Sequence, residues 1–212
     1  MEIVSKYKLV LKNEVPVYRE PMEKLFKDYN VYVFGYGSLL SSSGWTRRGM
    51  KNPPGPKDLI ECTIKGFERG PFGVFGHLAY YGIIRNARKH CNGVLAPIKN
   101  LRDWANLMFS EHIAGLTDHV NYRVIDVTDE VCCISDAHKL EKPFRIHAVC
   151  NRPSNSHKLI DCLPAPWYYG YVWDGILSER SDSFAQEFLK TGGFKDQLEA
   201  AKHLEKEAGN DD

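Results

Sequence analysis

The residues best placed to do chemistry in this chain are a glycine-opened loop at the end of a strand and one carboxylate on a helical stripe. Val31-Tyr32-Val33-Phe34 is a β-branched and aromatic run that stops at Gly35-Tyr36-Gly37-Ser38, the pattern of a buried strand running into a loop. The glycines leave several backbone N–H groups unobstructed, a concavity suited to a carboxylate, a phosphate or an oxyanion. Three other readings compete. A dinucleotide fingerprint needs its third glycine where this chain has Leu40, and it needs an acidic residue about 20 residues on, after a second strand; neither is present. A nucleophilic Ser38 lacks the glycine elbow, since Leu39 and Leu40 follow it. The plainest alternative is a glycine turn at a strand end.

Glu111 follows Trp104, Leu107 and Met108 at helical spacing, which puts it on the apolar stripe of its helix and predicts that it faces the core. Burial disfavours the charged form, so its pKa is expected to rise, the direction wanted in a base that must return its proton. The competing reading is a carboxylate at the helix end, paired to a nearby arginine or to His112. Glu130, Glu141 and Glu179 fall in presumed loops. Tyr122, Tyr168, Tyr169 and Tyr171, with Trp167 and Trp173, give the late segments an aromatic character that fills a core more readily than it lines a pocket. Thr46-Arg47-Arg48 and the stretch from Arg85 to Lys89 read as solvated loop charge. The six cysteines show no pair at metal-ligand spacing and read as free thiols. A metal site on Cys132, Cys133 and His138 is disfavoured, because adjacent cysteines suit tetrahedral zinc poorly.

The elements that must position these groups follow from periodicity. The first thirty residues form an extension with a short helix from Glu20 to Tyr29. Leu59 to Phe67, Leu78 to Ile84 and Gly93 to Ile98 look like strands separated by glycine and basic turns. Leu101 to Ala114 has helical spacing, and Val120 to Val127 alternates as a strand. Phe144 to Cys150 and Trp167 to Trp173 are further strands, and Ser181 to Leu189 starts as a helix with Ser181 or Asp182 as its cap. The stretches 129–142 and 151–166 read as loops or insertions. Strands outnumber helices without alternating with them, so the predicted class is α+β: a strongly bent mixed sheet or small β-barrel with one or two packed helices. A doubly wound sheet ranks second.

At 212 residues one domain is expected. The 28 basic and 27 acidic residues leave a net charge of +1, which supplies no general footprint for nucleic acid. No apolar run approaches the roughly 20 residues that span a bilayer, and the opening Met1-Glu2-Ile3-Val4-Ser5-Lys6 lacks a signal peptide's apolar stretch. A cytoplasmic location without membrane attachment is the expectation. Oligomeric state is not legible.

Val33-Phe34-Gly35-Tyr36-Gly37-Ser38-Leu39 closely resembles the opening strand and Tyr-Gly-Ser loop of the gamma-glutamylcyclotransferase-like family, particularly its ChaC type. Thr63-Ile64-Lys65-Gly66-Phe67-Glu68-Arg69 is similar to that family's second strand, and Asn92-Gly93-Val94-Leu95-Ala96-Pro97 to the strand before its helix. The likeness covers residues 31–190, leaving 1–30 as an N-terminal extension and 191–212 as a C-terminal helix with an acidic tail. The resemblance implies that Tyr36, Gly37, Ser38 and Leu39 form the loop holding a γ-glutamyl group, that Glu111 is the acid/base, and that Tyr122 joins the substrate site. It implies ring closure of a small γ-glutamyl compound to 5-oxoproline with release of an amine, without metal or cofactor. The rim departs from the family: Ser110-Glu111-His112 is followed by Gly115 and only later by Tyr122. Two alternatives stay open, a non-catalytic binding protein on the same fold and a small hydrolase pairing Ser38 with a histidine.

Overall fold

The structure is a computed structural model that describes residues 19–75, 77–111, 122–136, 140–151 and 162–208. Strand β1 (Asn30–Gly35) lies in the middle of a curled mixed sheet. It is antiparallel to β3 (Leu78–Ile98), with Val33 opposite Ala96, and parallel to β6 (Phe144–Asn151), with Val33 opposite His147. Pairing on both edges and packing on both faces explain why its apolar run is continuous rather than alternating. Val31 and Val33 face one core with Trp104, Leu107 and Met108. Tyr32 and Phe34 face a second core with Ile60, Ile64 and Ile146. Adding β2 (Ile60–Phe75), β4 (Tyr122–Asp126) and β5 (Val131–Cys132), the sheet runs β4-β6-β1-β3-β2-β5, with β7 (Leu163–Pro164) parallel to β3. The fold is α+β.

The three short strands expected between residues 59 and 98 are two long ones, β2 and β3, paired as one hairpin. Lys65 opposes His90 while Phe67 opposes Arg85, so residues 86–89 bulge across from Gly66, whose φ is +77°. The basic stretch read as a turn is this bulge, inside a strand. Beyond it, the far half of the hairpin meets the adjoining ends of β4 and β6. Cys150 Sγ donates to the Ile83 carbonyl at 3.2 Å, and Asn151 Nδ2 to the Phe72 carbonyl at 3.0 Å.

Helices α1 (Arg19–Asp28), α2 (Ser42–Thr46), α3 (Leu101–Ser110), α4 (Pro166–Glu179), α5 (Asp182–Lys190) and α6 (Phe194–Ala208) complete the described chain. Trp167 to Trp173, expected as a strand, lies within α4. Aromatic richness favoured a strand locally, but Pro166 opens a helix at its first turn. Tyr168, Tyr169, Val172 and Ile176 are then buried at helical spacing. The three C-terminal helices contribute Tyr169, Val172, Phe184, Phe188, Phe194 and Leu198 to the same core as Val31 and Val33 of β1. Ser181 caps α5 as expected, accepting from the Phe184 amide at 3.2 Å. Among the described residues, no helix is long and apolar enough to cross a membrane.

Candidate functional site

Strand β1 ends at Gly35, and the chain turns through a short 3-10 segment, Gly37–Leu40. Gly37 has φ +62°, and a Cβ there would lie 2.3 Å from the Tyr168 hydroxyl. Both the conformation and the space disfavour a side chain. Tyr36 points inward and donates its hydroxyl to the Val149 carbonyl of β6. Leu39 is buried, and its carbonyl accepts from Trp45 Nε1 at 2.8 Å. Tyr36 and Leu39 therefore anchor the loop with their side chains and can offer a ligand only their backbone. Helix α2 then approaches so closely that a Cβ on Gly44 would fall 1.7 Å from the Ser38 carbonyl oxygen. Its start is pinned from α4 by Glu179, which accepts from the Ser42 amide at 2.8 Å and the Ser42 hydroxyl at 2.7 Å. Glu179, expected in a loop, is the last residue of a helix and holds another helix in place.

Glu111 comes from the opposite direction. Asn100 caps α3 by accepting from the Asp103 amide at 2.9 Å, and buried Asp103 accepts from the Lys51 amide at 2.7 Å. Trp104, Leu107 and Met108 are buried against the sheet. Glu111 itself is the C-cap residue, one step beyond the helix. Its side chain is 17% exposed and meets Arg48, whose Nε and Nη2 donate to Glu111 Oε1 at 3.0 and 2.7 Å. The premise of an isolated carboxylate walled in by apolar groups does not hold; the alternative, a helix-end carboxylate paired to an arginine, is the arrangement found. Among the described residues both of these bonds fall on Oε1 and no hydrogen bond or ion pair falls on Oε2. His112 and Gly115 lie outside the described residues.

Arg48 is the site residue that sequence reading missed. Arg47 beside it is exposed, as expected of loop charge, but the Arg48 side chain is only 15% exposed. Its Nη2 also donates to Ser38 Oγ at 2.9 Å, and Nη1 to the Gly44 carbonyl at 3.1 Å. One guanidinium thus ties Ser38 of the loop to Glu111. Paired with a carboxylate, its pKa is raised even though burial works the other way.

Three phenols surround this pair. Burial pushes the Tyr168 hydroxyl well above its ordinary range, the Glu111 charge adds to this, and the backbones of Ser38 and Tyr81 oppose it. Tyr122, the first residue of β4, sits with its hydroxyl against Gly73. It is pushed up by burial and then by Glu111, as is Tyr36 by burial, Tyr122 and Glu111. All three stay protonated at neutral pH, and a neutral phenol can donate a hydrogen bond. Tyr168, read from sequence as core packing, therefore belongs beside the loop. Among the described residues no three His, Cys, Asp or Glu side chains converge as a metal site; Cys133 is exposed, and His138 lies outside the described residues.

No family model and no curated protein matches the chain. Solved structures do. YkqA from Bacillus subtilis aligns with a TM-score of 0.55 at 16% identity, over 81% of this chain and 56% of its own. The chain thus spans little more than half of that protein. A gamma-glutamyl cyclotransferase aligns with a TM-score of 0.51 at 16% identity, over 76% of this chain and 86% of its own. An uncharacterized human protein, loc79017, aligns with a TM-score of 0.51 at 14% identity, over 79% and 97%. At these identities the likeness is one of fold.

Proposed function

We propose that the protein is a γ-glutamyl cyclotransferase, converting a γ-glutamyl amine, amino acid or peptide to 5-oxoproline and the free amine. The observation that carries this reading is the reach of Arg48 from Ser38 Oγ to Glu111 Oε1, 2.9 and 2.7 Å away, which brings loop and carboxylate side by side and supports reading them together. In the proposed step Glu111 Oε2 takes a proton from the substrate α-ammonium, and the freed amine nitrogen bonds to the γ-carbonyl carbon. The resulting oxyanion is met by loop amides around Gly37 and Ser38 and by a neutral phenol such as Tyr168. The bond from that carbon to the leaving nitrogen then breaks as Glu111 returns its proton to that nitrogen, and the second proton still carried by the ring nitrogen passes to the released amine, giving the neutral ring amide of 5-oxoproline and an ammonium. Reacting atoms are already joined by a short tether, so the protein supplies mainly orientation, oxyanion stabilisation and one proton shuttle.

A binding protein on the same fold is the second reading; on its side stands the ion pair, which already occupies both Glu111 and Ser38. The hydrolase reading loses ground, because the contact found on Ser38 Oγ is a guanidinium and not a histidine. The deciding experiment is 5-oxoproline release from glutathione, γ-glutamyl dipeptides and γ-glutamylamines, with Glu111→Gln alongside. Turnover of one class that falls at least about 100-fold in the variant supports the cyclotransferase. Silence across the panel from folded protein rejects it in favour of binding.

A further inference from the structure

The site at the loop is a closed pair of opposite charges, and a ligand has to deal with both. Arg48 spends Nε–H and one Nη2–H on Glu111 Oε1, another on Ser38 Oγ and one Nη1–H on the Gly44 carbonyl. With four of five donors engaged and the side chain 15% exposed, the guanidinium cannot lose a partner without replacement: a desolvated charge left unpaired is costly. A ligand offering only an ammonium would compete with Arg48 for Glu111 and strand the guanidinium. A ligand offering only a carboxylate would take Arg48 and strand Glu111. A ligand offering both, on one carbon, replaces one ion pair with two and leaves nothing unpaired.

We propose that Arg48 is the specificity-determining residue of this site, exchanging its bonds to Glu111 Oε1 for bonds to the α-carboxylate of the ligand, so that the site selects compounds carrying an α-ammonium and an α-carboxylate together. This rests on Glu111 and the Gly37-Ser38 loop being the ligand site, and it names what that site recognises. Arg48 suits the task because a guanidinium binds carboxylates through parallel N–H groups. It is also held from behind by the Gly44 carbonyl, at a position where α2 and the loop are in van der Waals contact. The exchange frees Glu111 next to the ammonium that it has to deprotonate. An amine bearing no carboxylate leaves Glu111 engaged, and this couples recognition to catalysis.

The test uses binding as well as turnover, so that it outlives a failure of the cyclotransferase reading. L-Glutamine, 4-aminobutanamide, which lacks the α-carboxylate, and 4-carbamoylbutanoate, which lacks the α-ammonium, are titrated into the full chain and followed by NMR. The expected result is binding of glutamine, with each analogue about 30-fold weaker, as for loss of one partner of a shielded charge pair. In Arg48→Gln the preference for glutamine over 4-aminobutanamide disappears, and in Arg48→Lys part of it remains. Equal binding of glutamine and 4-aminobutanamide by the unaltered protein overturns the inference, as does a preference that survives in folded Arg48→Gln, or no binding of glutamine. Selective binding without any 5-oxoproline release would reject the cyclotransferase and keep Arg48. Turnover that treats γ-glutamyl and 4-aminobutanoyl amides alike would do the reverse.

Discussion

At the scale of single residues the site depends on atoms that are missing. Gly37 combines φ +62° with a Tyr168 hydroxyl where its Cβ would be, 2.3 Å away. These two constraints can be separated. A left-handed backbone costs an alanine about 1 to 2 kcal/mol, and the contact with the phenol oxygen adds to that. Gly37→Ala is expected to lose roughly 2 to 3 kcal/mol of stability in urea denaturation together with ligand binding. Tyr168→Phe removes only the oxygen, so the double variant should be more stable than the sum of the single losses predicts. Strict additivity would mean that the hydroxyl does not press on Gly37. The pattern of glycines in Gly35-Tyr36-Gly37-Ser38 was readable in the sequence because a strand-end turn has a compositional signature. Arg48 was not. Its role is fixed by Glu111, 63 positions away, and nothing local distinguishes it from exposed Arg47 next to it.

At the scale of elements, the C-terminal helices are locked to the hairpin by a buried cation held mainly by carbonyls and a hydroxyl. Arg69 of β2 is 1% exposed. Its Nη1 donates to the Asn92 carbonyl at 2.7 Å, and its Nη2 donates to the Phe188 carbonyl at 3.3 Å and to Thr191 Oγ1. The guanidinium stacks 3.5 Å over the Phe188 ring. Burial pushes its pKa down to about 10, still far above neutral, so the charge persists and the carbonyl end of α5 balances it. Arg69→Met keeps the stem and removes the donors that the Asn92 and Phe188 carbonyls and Thr191 Oγ1 now receive. A loss of roughly 2 to 4 kcal/mol in chemical denaturation is expected; a variant within about 0.5 kcal/mol of the parent would show that packing alone holds α5. Elements were legible in proportion to how local their causes are. The strand at Val31 and the Ser181 cap are local and were found. The Trp167 to Trp173 segment was misread because its residue types favour a strand while Pro166 and the burial of Tyr168, Val172 and Ile176 on one face make a helix. The β2–β3 hairpin was cut short because the basic residues at 85–90 mark a bulge as readily as a turn.

At the scale of the whole molecule, the curled sheet and the helices over it enclose a layer of phenols. Tyr36 from the loop, Tyr81 from β3, Tyr122 from β4, and Tyr168 and Tyr169 from α4 are all pushed upward, with burial the largest cause in each. The class of fold was legible because unalternated strands outnumbered helices, but this enclosure was not, since it is made by curling distant segments together. It has a consequence for alkaline stability. In the unfolded chain these phenols ionise near their ordinary value of 10.0, whereas in the folded protein they stay protonated well above it. The unfolded state therefore binds fewer protons than the native one above that pH, so the stability these groups contribute is complete below about pH 10 and drains away as pH rises beyond it. Urea midpoints are expected to be flat with respect to these groups up to about pH 10 and to fall steeply above it. Phenolate absorbance should show a reversible early phase from exposed tyrosines and a late phase coincident with loss of structure. A single reversible titration of every tyrosine, with secondary structure intact, would mean that water reaches the layer between sheet and helices.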